Sequence, residues 1–356
     1  MLLGDRKLAI LRTIIDDYIV TAEPIGSRTI AKKYNNEISS ATIRNEMADL
    51  EEMGYLQQLH TSSGRIPSDK AYRFYVDKLM SVKALSKKEA DYIKEVYQHR
   101  SNQLEDLLML TTKTISEISN YTAVAVGPRM ESVKIRHIRL IPVDANIILV
   151  VVVTNSGVVK DMLLRVPHPV EEEYLERVSE ILNGYFKNKS LSQMKGTSPD
   201  MIQAVIAHDK DFFYSLVDAI SETVEGEDDR RVYMEGVHNI LDIPEYSDIV
   251  KAREFFSLMK KKELMFDLLD NQTPQRGLSI HIGEENPIEE MKSYSVITAT
   301  YFVNENVYGS VGIIGPKRMN YPKMVSLIDN VVDHLTQHMM NLADGQQANS
   351  GKDDEE

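Results

Sequence analysis

The chain has 356 residues, 42% of them hydrophobic and 27% charged, with no cysteine and a net charge of −13; that length accommodates two or three domains, each able to bury a core. Without cysteine there is no disulfide, thiol nucleophile, thiolate zinc site or cysteine redox switch, and a reducing cytoplasm is the expected setting. The longest apolar run, residues 147–153, is too short for a bilayer, and Asp5, Arg6 and Lys7 ahead of Leu8 argue against a signal peptide, so no membrane partner is expected.

Residues 5–21 read as a first helix, with Leu8, Leu11, Ile15, Tyr18 and Ile19 on an inward face. Gly26-Ser27 caps a short second helix, in which Ile30 and Ala31 face inward. The link Asn35-Asn36-Glu37-Ile38 turns the chain into a third helix, started by Ser39 and Ser40. Ile43, Met47 and Leu50 form its apolar stripe, while Thr42, Arg44, Asn45 and Ala48 fall on the other faces. Arginine pairs with guanine, and asparagine with adenine, through two hydrogen bonds in a major groove. Alone this is one amphipathic helix among many; the short helix and tight turn ahead of it suggest a helix-turn-helix.

Gly54 ends the third helix, residues 55–59 read as a strand, and His60-Thr61-Ser62-Ser63-Gly64 is a loop tip before the returning strand Arg65-Ile66-Pro67. That hairpin is a wing, whose hydroxyls, imidazole and Arg65 suit phosphates or a narrow minor groove. Residues 1–80 hold 11 Lys and Arg against 11 Asp and Glu, so the whole −13 lies in the other 276 residues. A neutral head on an acidic body binds DNA weakly without sequence contacts, which places specificity on base readout and on dimerisation.

Ser68 or Asp69 caps a further helix, with Tyr72, Tyr75, Val76 and Leu79 at core spacing. Lys70 and Arg73 lie on its outer face, either solvated or against phosphate. From residue 86 to about 119 the pattern is helical, and this stretch is linker plus first helix of the body or part of a dimer contact. The period then changes: residues 121–126, 135–140, 147–154 and 158–165 are β-branched runs, followed by a helix over 171–186. Strands resume at 278–282, 295–303 and 307–314, ahead of a closing helix from 321 to about 341. Between them, 191–269 is mostly helix-type, with Phe212, Phe213, Leu216 and Ile220 on one face and Phe255, Phe256, Met259, Leu264 and Leu268 on another. Residues 344–356 lack apolar periodicity, end in Asp353-Asp354-Glu355-Glu356 and read as a disordered acidic tail. The class is α+β and multidomain.

No catalytic chemistry is legible. His334 and His338 are spaced i, i+4 on one helix, but no third ligand is near, so no metal is expected. His208-Asp209 matches a metal-phosphohydrolase dyad only as a dipeptide. Gly309, Gly312 and Gly315 lack the Lys and Ser/Thr of a phosphate loop and read as places where a sheet packs closely. Glu171-Glu172-Glu173 suits a helix N-terminus. With no nucleophile, base and orienter in one set, neither an enzyme nor a cofactor is expected.

Three runs stand out together: Pro24-Ile25-Gly26-Ser27-Arg28-Thr29-Ile30-Ala31, Ser40-Ala41-Thr42-Ile43-Arg44-Asn45-Glu46-Met47, and His60-Thr61-Ser62-Ser63-Gly64-Arg65-Ile66-Pro67. With Gly312-Ile313-Ile314-Gly315-Pro316-Lys317-Arg318-Met319-Asn320-Tyr321 they make the chain resemble the HrcA family of heat-inducible transcription repressors. Leu59 and Ala71 depart from it, where the family carries proline and glycine. The resemblance implies a winged helix-turn-helix DNA-binding domain in 1–80 and a GAF-like regulatory domain in 81–190 plus 270–343. It also implies an inserted, mainly helical dimerisation domain in 191–269, for which an ordinary subdomain without a partner is the alternative. The function implied is a homodimeric repressor on double-stranded DNA, at an inverted-repeat operator upstream of chaperone operons, kept active by a GroEL-type chaperonin. Candidate DNA-binding residues are Ser27, Arg28, Ser40, Thr42, Arg44, Asn45, His60, Thr61, Ser62, Arg65 and Arg73. A small-molecule-responsive winged-helix regulator is the alternative function.

Overall fold

The structure, a computed structural model, describes residues 3–35, 37–58, 64–98, 104–127, 134–154, 159–190, 193–194, 210–225, 231–270, 277–303 and 308–350. Helix α1 (Asp5–Thr21) buries Ile10, Leu11, Ile14 and Ile15, so its inward face is centred a little away from the Leu8–Tyr18 line expected from spacing. Short α2 (Ser27–Lys33) buries Ile30 and Ala31. The Ser39 hydroxyl accepts the Thr42 amide (3.1 Å) and starts α3 (Ser40–Glu52), whose buried stripe is Ile43, Met47 and Leu50. Strands β1 (Leu56–Gln57) and β2 (Ile66–Pro67) pair antiparallel, and Ile25 exchanges two 2.9 Å backbone bonds with Arg65, tying the hairpin to the turn before α2. Gly64 is required there: a Cβ on it would stand 2.5 Å from the Ile25 carbonyl oxygen.

Ser68 caps α4 (Asp69–Phe74), which continues through a π-helical turn, Tyr75–Leu79. Beyond the linker, Ser86 and Glu89 form a reciprocal cap on α5 (Lys87–Gln98). Hydrogen bonds from Ser86 and the Lys323 ammonium, 2.9 Å away, hold the Glu89 carboxyl down at about 2.

Helix α6 (Leu104–Ser119) leads into β3 (Thr122–Val126), buried along its whole length. Then come β4 (Ile135–Asp144), β5 (Ile147–Thr154), β6 (Val159–Arg165), α7 (Glu172–Phe186) and α8 (Lys210–Glu225). They are followed by β7 (Val232–Glu235), α9 (Ile249–Met259), α10 (Lys262–Asp270), β8 (Leu278–Ile282), β9 (Tyr294–Phe302), β10 (Tyr308–Pro316) and α11 (Tyr321–Ser350).

Backbone pairing divides these strands in a way that local pattern did not. One antiparallel sheet has the order β7-β3-β10-β9-β8; a second, β4-β5-β6, stands apart from it. The five-stranded sheet is covered on both faces. Residues Ala123, Ala125, Ile297 and Ile313 pack under α6 and α11, and Val124, Val126, Val296 and Ile314 pack under α9 and α10 with Phe255 and Met259. The three-stranded sheet has its own core, in which Ile138, Leu140, Ile148, Val150 and Val152 meet Leu175, Leu182 and Phe186 of α7 and Leu216 and Ile220 of α8. Asn183 and Ser179 of α7 hydrogen-bond the edge of β4 at Ile138 and Leu140, which closes that edge.

Packing groups the described strands and helices in two cores. Strands at 135–165 do not share a sheet with those at 278–314, and α9 and α10 cover the larger sheet instead of forming an insert over 191–269. Among the described residues, those of β4–β6, α7 and α8 share one core, whereas α9 and α10 belong to the core of the larger sheet. The reason is that periodicity identifies a strand but not its partner, and β3 pairs with β10 across nearly the whole body. The closing helix also runs on to Ser350, beyond the end expected near 341 and into the stretch read as a tail. Ala343, Gln346, Gln347 and Ala348 favour helix and no proline stops it; residues 351–356 lie outside the described set.

Close approach explains the glycines of β10. A Cβ at Gly309 would lie 2.4 Å from the hydroxyl of Tyr301, which is itself fully buried and donates to the Val126 carbonyl (2.9 Å). Burying a side chain of this size contributes about 2–3 kcal/mol.

The N-terminal unit is joined to the body by apolar contact and by a set of ionic contacts. Tyr72 lies with its ring 6.1 Å from Tyr321, and both are buried. Asp69 accepts from Lys317 Nζ (2.8 Å) and from the Glu284 amide (3.2 Å). Gly283 sits at φ +57, where a Cβ would be 1.9 Å from the Asp69 carboxylate. Arg318 donates to both oxygens of Glu245, with Nη2 to Oε2 at 2.8 Å, and its Nη1 reaches the Ile19 carbonyl at 2.9 Å.

Candidate nucleic-acid interface

The outward face of α3 follows directly from its buried one. With Ile43, Met47 and Leu50 fixed in the core, Ser40, Ala41, Arg44, Asn45 and Ala48 are exposed. Arg44 and Asn45 have no partner among the described residues. One guanidinium and one carboxamide, side by side among small residues, can present paired donors and acceptors to base edges. Arg28 is exposed on α2, and Ser27 is half-buried at its start.

Four of the expected residues are differently placed. Thr42 is half-buried, with its hydroxyl 2.9 Å from that of Ser39, so it belongs to the helix cap and not to the outward face. Arg65 has its Nε 2.8 Å from Glu51 near the C-terminal end of α3, which makes it a strut between the β1–β2 hairpin and that helix. Arg73 faces the body: its Nε and Nη2 lie 2.8 and 2.5 Å from the two Glu285 oxygens, and Nη2 also donates to the Ile280 carbonyl. Those bonds raise the Arg73 pKa, and they direct its guanidinium to the body in this structure. Burial works to raise the Glu285 carboxyl, but the Arg73 bonds, the Ile282 amide and the charges of Arg73 and His281 together outweigh it, so that group lies below the ordinary carboxylate range. Lys70, read as solvated or phosphate-facing, donates to the Met53 carbonyl (2.8 Å) and stands 4.6 Å over the Tyr55 ring, capping the end of α3. His60, Thr61 and Ser62 lie outside the described residues.

Two contributions were not foreseen. Lys7 on α1 holds Glu46 (3.0 Å) and Asp49 (2.9 Å) of α3, and Arg6 stands 3.7 Å from Glu46. Hydrogen bonds to Asp49 and then Glu46 raise the Lys7 ammonium pKa. With Arg65 on Glu51, three of the acidic side chains of α3 are neutralised, which reduces repulsion of a polyanion near Arg44 and Asn45. Helical wheel spacing could not reveal this, because the bases come from α1 and the wing.

The strut leads to a prediction. Arg65→Ala and Glu51→Gln are each expected to weaken DNA binding by a similar factor, and the double variant by no more than either alone, as for two ends of one contact. Binding isotherms for the three variants check this; additive losses would return Arg65 to phosphate.

His334 and His338 flank the buried ring of Tyr97, at 6.0 and 6.5 Å between centroids, and so serve packing. Among the described residues no group of His, Asp and Glu forms a metal set, and no helix is long and apolar enough to cross a membrane.

Residues 105–325 match the model described as the HrcA protein C-terminal domain. A protein of Ruminiclostridium cellulolyticum named heat-inducible transcription repressor HrcA is 41% identical over 354 residues, 97% of this chain and 99% of that protein. The chain belongs to the HrcA family. A relative of the same name from Acetivibrio thermocellus is also 41% identical, over 96% of this chain and 98% of its own length. A crystal structure titled as that of a hypothetical protein shares the fold, with TM-score 0.64 and 23% identity over 96% of this chain and all of that one. The HrcA family is one of transcription repressors, and the chain is not an enzyme.

Proposed function

We propose that this chain is a sequence-specific repressor of heat-shock (chaperone) operons, binding an inverted-repeat operator as a homodimer with help from a GroEL-type chaperonin. In this reading the N-terminal unit is a winged helix-turn-helix with α3 in the major groove, and the five-stranded sheet with its helices is a GAF-like regulatory domain. The observation that carries it is α3 itself: three buried anchors fix the helix, and Arg44 and Asn45 stand exposed on its other side, unpaired among the described residues. The names of the relatives, heat-inducible transcription repressor, supply the biological class. The setting proposed is cytoplasmic.

A dimer surface is available on the unit of residues 135–225. While one face of β4-β5-β6 covers α7 and α8, the other carries Ile141, Leu149 and Leu163 in one row across the three strands. Ile141, Val143, Val159 and Leu163 are 41–64% exposed. Contiguous exposed apolar residues on a regular sheet support a protein interface, and a second copy is the partner that an inverted repeat requires. The sheet face replaces the 191–269 segment as the dimerisation element in this proposal.

Chaperonin dependence would follow from marginal stability. A few kcal/mol separate folded from unfolded chain, so a chaperone raises the binding-competent fraction, and unfolded clients compete for it on heating. Footprinting of the purified protein on the promoters of its own chaperone operons, with and without chaperonin, tests the whole reading. Protection of one palindrome, deepened by chaperonin, is the expected result; no protected palindrome in either case would end it.

A further inference from the structure

The N-terminal unit is fastened to the body through two different helices. On α4, Asp69 and Arg73 stand one turn apart and engage Lys317 and Glu285. At the end of α1, the Ile19 carbonyl takes a hydrogen bond from Arg318, whose guanidinium is held by both oxygens of Glu245. The Tyr72 and Tyr321 rings lie against each other in the same seam. A single attachment would leave the unit free to swivel about that point. Attachment through α1 and through α4 resists rotation as well as separation, and α3 is carried with them because all three helices share one core.

The seam is apolar at Tyr72 and Tyr321 and ionic around them. The Arg73 and Arg318 contacts are two-pronged, a geometry that fixes angle as well as distance. Polar pairs of this kind are a weak source of stability and a stronger source of defined geometry. Moreover the Tyr72 hydroxyl is buried without a partner among the described residues, so the seam has not been optimised for stability alone.

We propose that the pairs Asp69–Lys317, Arg73–Glu285 and Arg318–Glu245 are positioning contacts that hold α3 at one orientation to the body, and so select one separation between the two half-sites of the operator. This rests on the dimeric-repressor reading above. B-DNA turns once in about 10 base pairs, so each base pair added between half-sites rotates the second one around the axis. Two recognition helices held rigidly in one dimer match a single phase and lose the gain from simultaneous engagement at others. Two helices on loosened units follow the DNA and tolerate several.

Three of the six partners, Glu245, Glu285 and Lys317, are on the body side, so they can be changed without altering the surface that meets DNA. The test compares the full-length wild type with the triple variant Glu245→Gln/Glu285→Gln/Lys317→Met. Fluorescence anisotropy is read on duplexes carrying the footprinted half-sites with the spacer varied one base pair at a time, and on a single half-site. The wild type is expected to prefer one spacer by about tenfold over spacers two base pairs longer or shorter. In the triple variant that preference should fall below about threefold with single half-site affinity unchanged. An equally sharp optimum in the variant would overturn the inference, as would a single half-site loss as large as the loss at the optimum. Should the triple variant fail to fold, Glu285→Gln alone is expected to broaden the optimum, and an unbroadened one counts against the proposal. A wild type with no preference for inverted repeats would instead refute the repressor reading itself, which separates the two failures.

Discussion

Alanine at Arg44 or at Asn45 is expected to weaken operator binding by about 1–3 kcal/mol each, with a much smaller loss on random DNA. The asymmetry is the content of the prediction. A side chain that pairs with a base edge loses its bonds on one sequence only, whereas a phosphate contact is lost on every duplex. Both residues are exposed and have no partner among the described residues, so neither substitution leaves a buried group there unsatisfied, and the fold should be unaffected. Isotherms on operator and on scrambled duplex at one salt concentration decide it; equal losses on both would move these side chains to the phosphate class. Thr42→Ala should behave differently, since that hydroxyl is spent on the cap of α3, and its effect belongs to helix stability at about 1 kcal/mol or less.

Placing charge on the outer face of the small sheet is expected to have the larger effect. Leu163 is 64% exposed and Ile141 41%, and the two flank Leu149 in a single cross-strand row. Ile141→Asp with Leu163→Asp should leave the protomer folded, because the core of that unit lies on the opposite face with α7 and α8. In a self-complementary interface each substitution buries two carboxylates, one from each protomer, and an unpaired buried charge is strongly unfavourable. The variant is therefore expected to sediment as a monomer and to lose about 100- to 10,000-fold in operator affinity, the gain that linking two readers supplies. Its affinity for a single half-site should be unchanged. A variant that stays dimeric would move the interface elsewhere on the chain.

Arg44, Asn45 and the stripe opposite them were legible because everything that places them is local: two serines, a 3.6-residue period and a glycine at the end. The strands were legible for the same reason, and 147–154 and 278–282 fall at their expected bounds. Arg73 and Arg65 were not. On a helical wheel Arg73 is one more cation on an outer face, yet its partner Glu285 lies 212 residues away. Nothing in the period of α4 records that a second domain covers it. By position Arg65 reads as a hairpin-tip cation, but Glu51 stands beside it. The motif at 312–321 could be recognised, but not explained, until Lys317, Arg318 and Tyr321 were seen in the seam.

The sequence by itself determined most helices and strands, though not β7 inside the stretch read as helix-type, together with caps that begin them, the exposed pair on α3 and, through its ordered motifs, the family. Those features depend on neighbours within one or two turns. Only the tertiary structure decided which strands share a sheet, which carboxylates silence which cations, and how the N-terminal unit is locked to the body. Such pairings are set by packing between segments far apart in the chain, and a guanidinium has the same local signature whether it meets a phosphate or a glutamate.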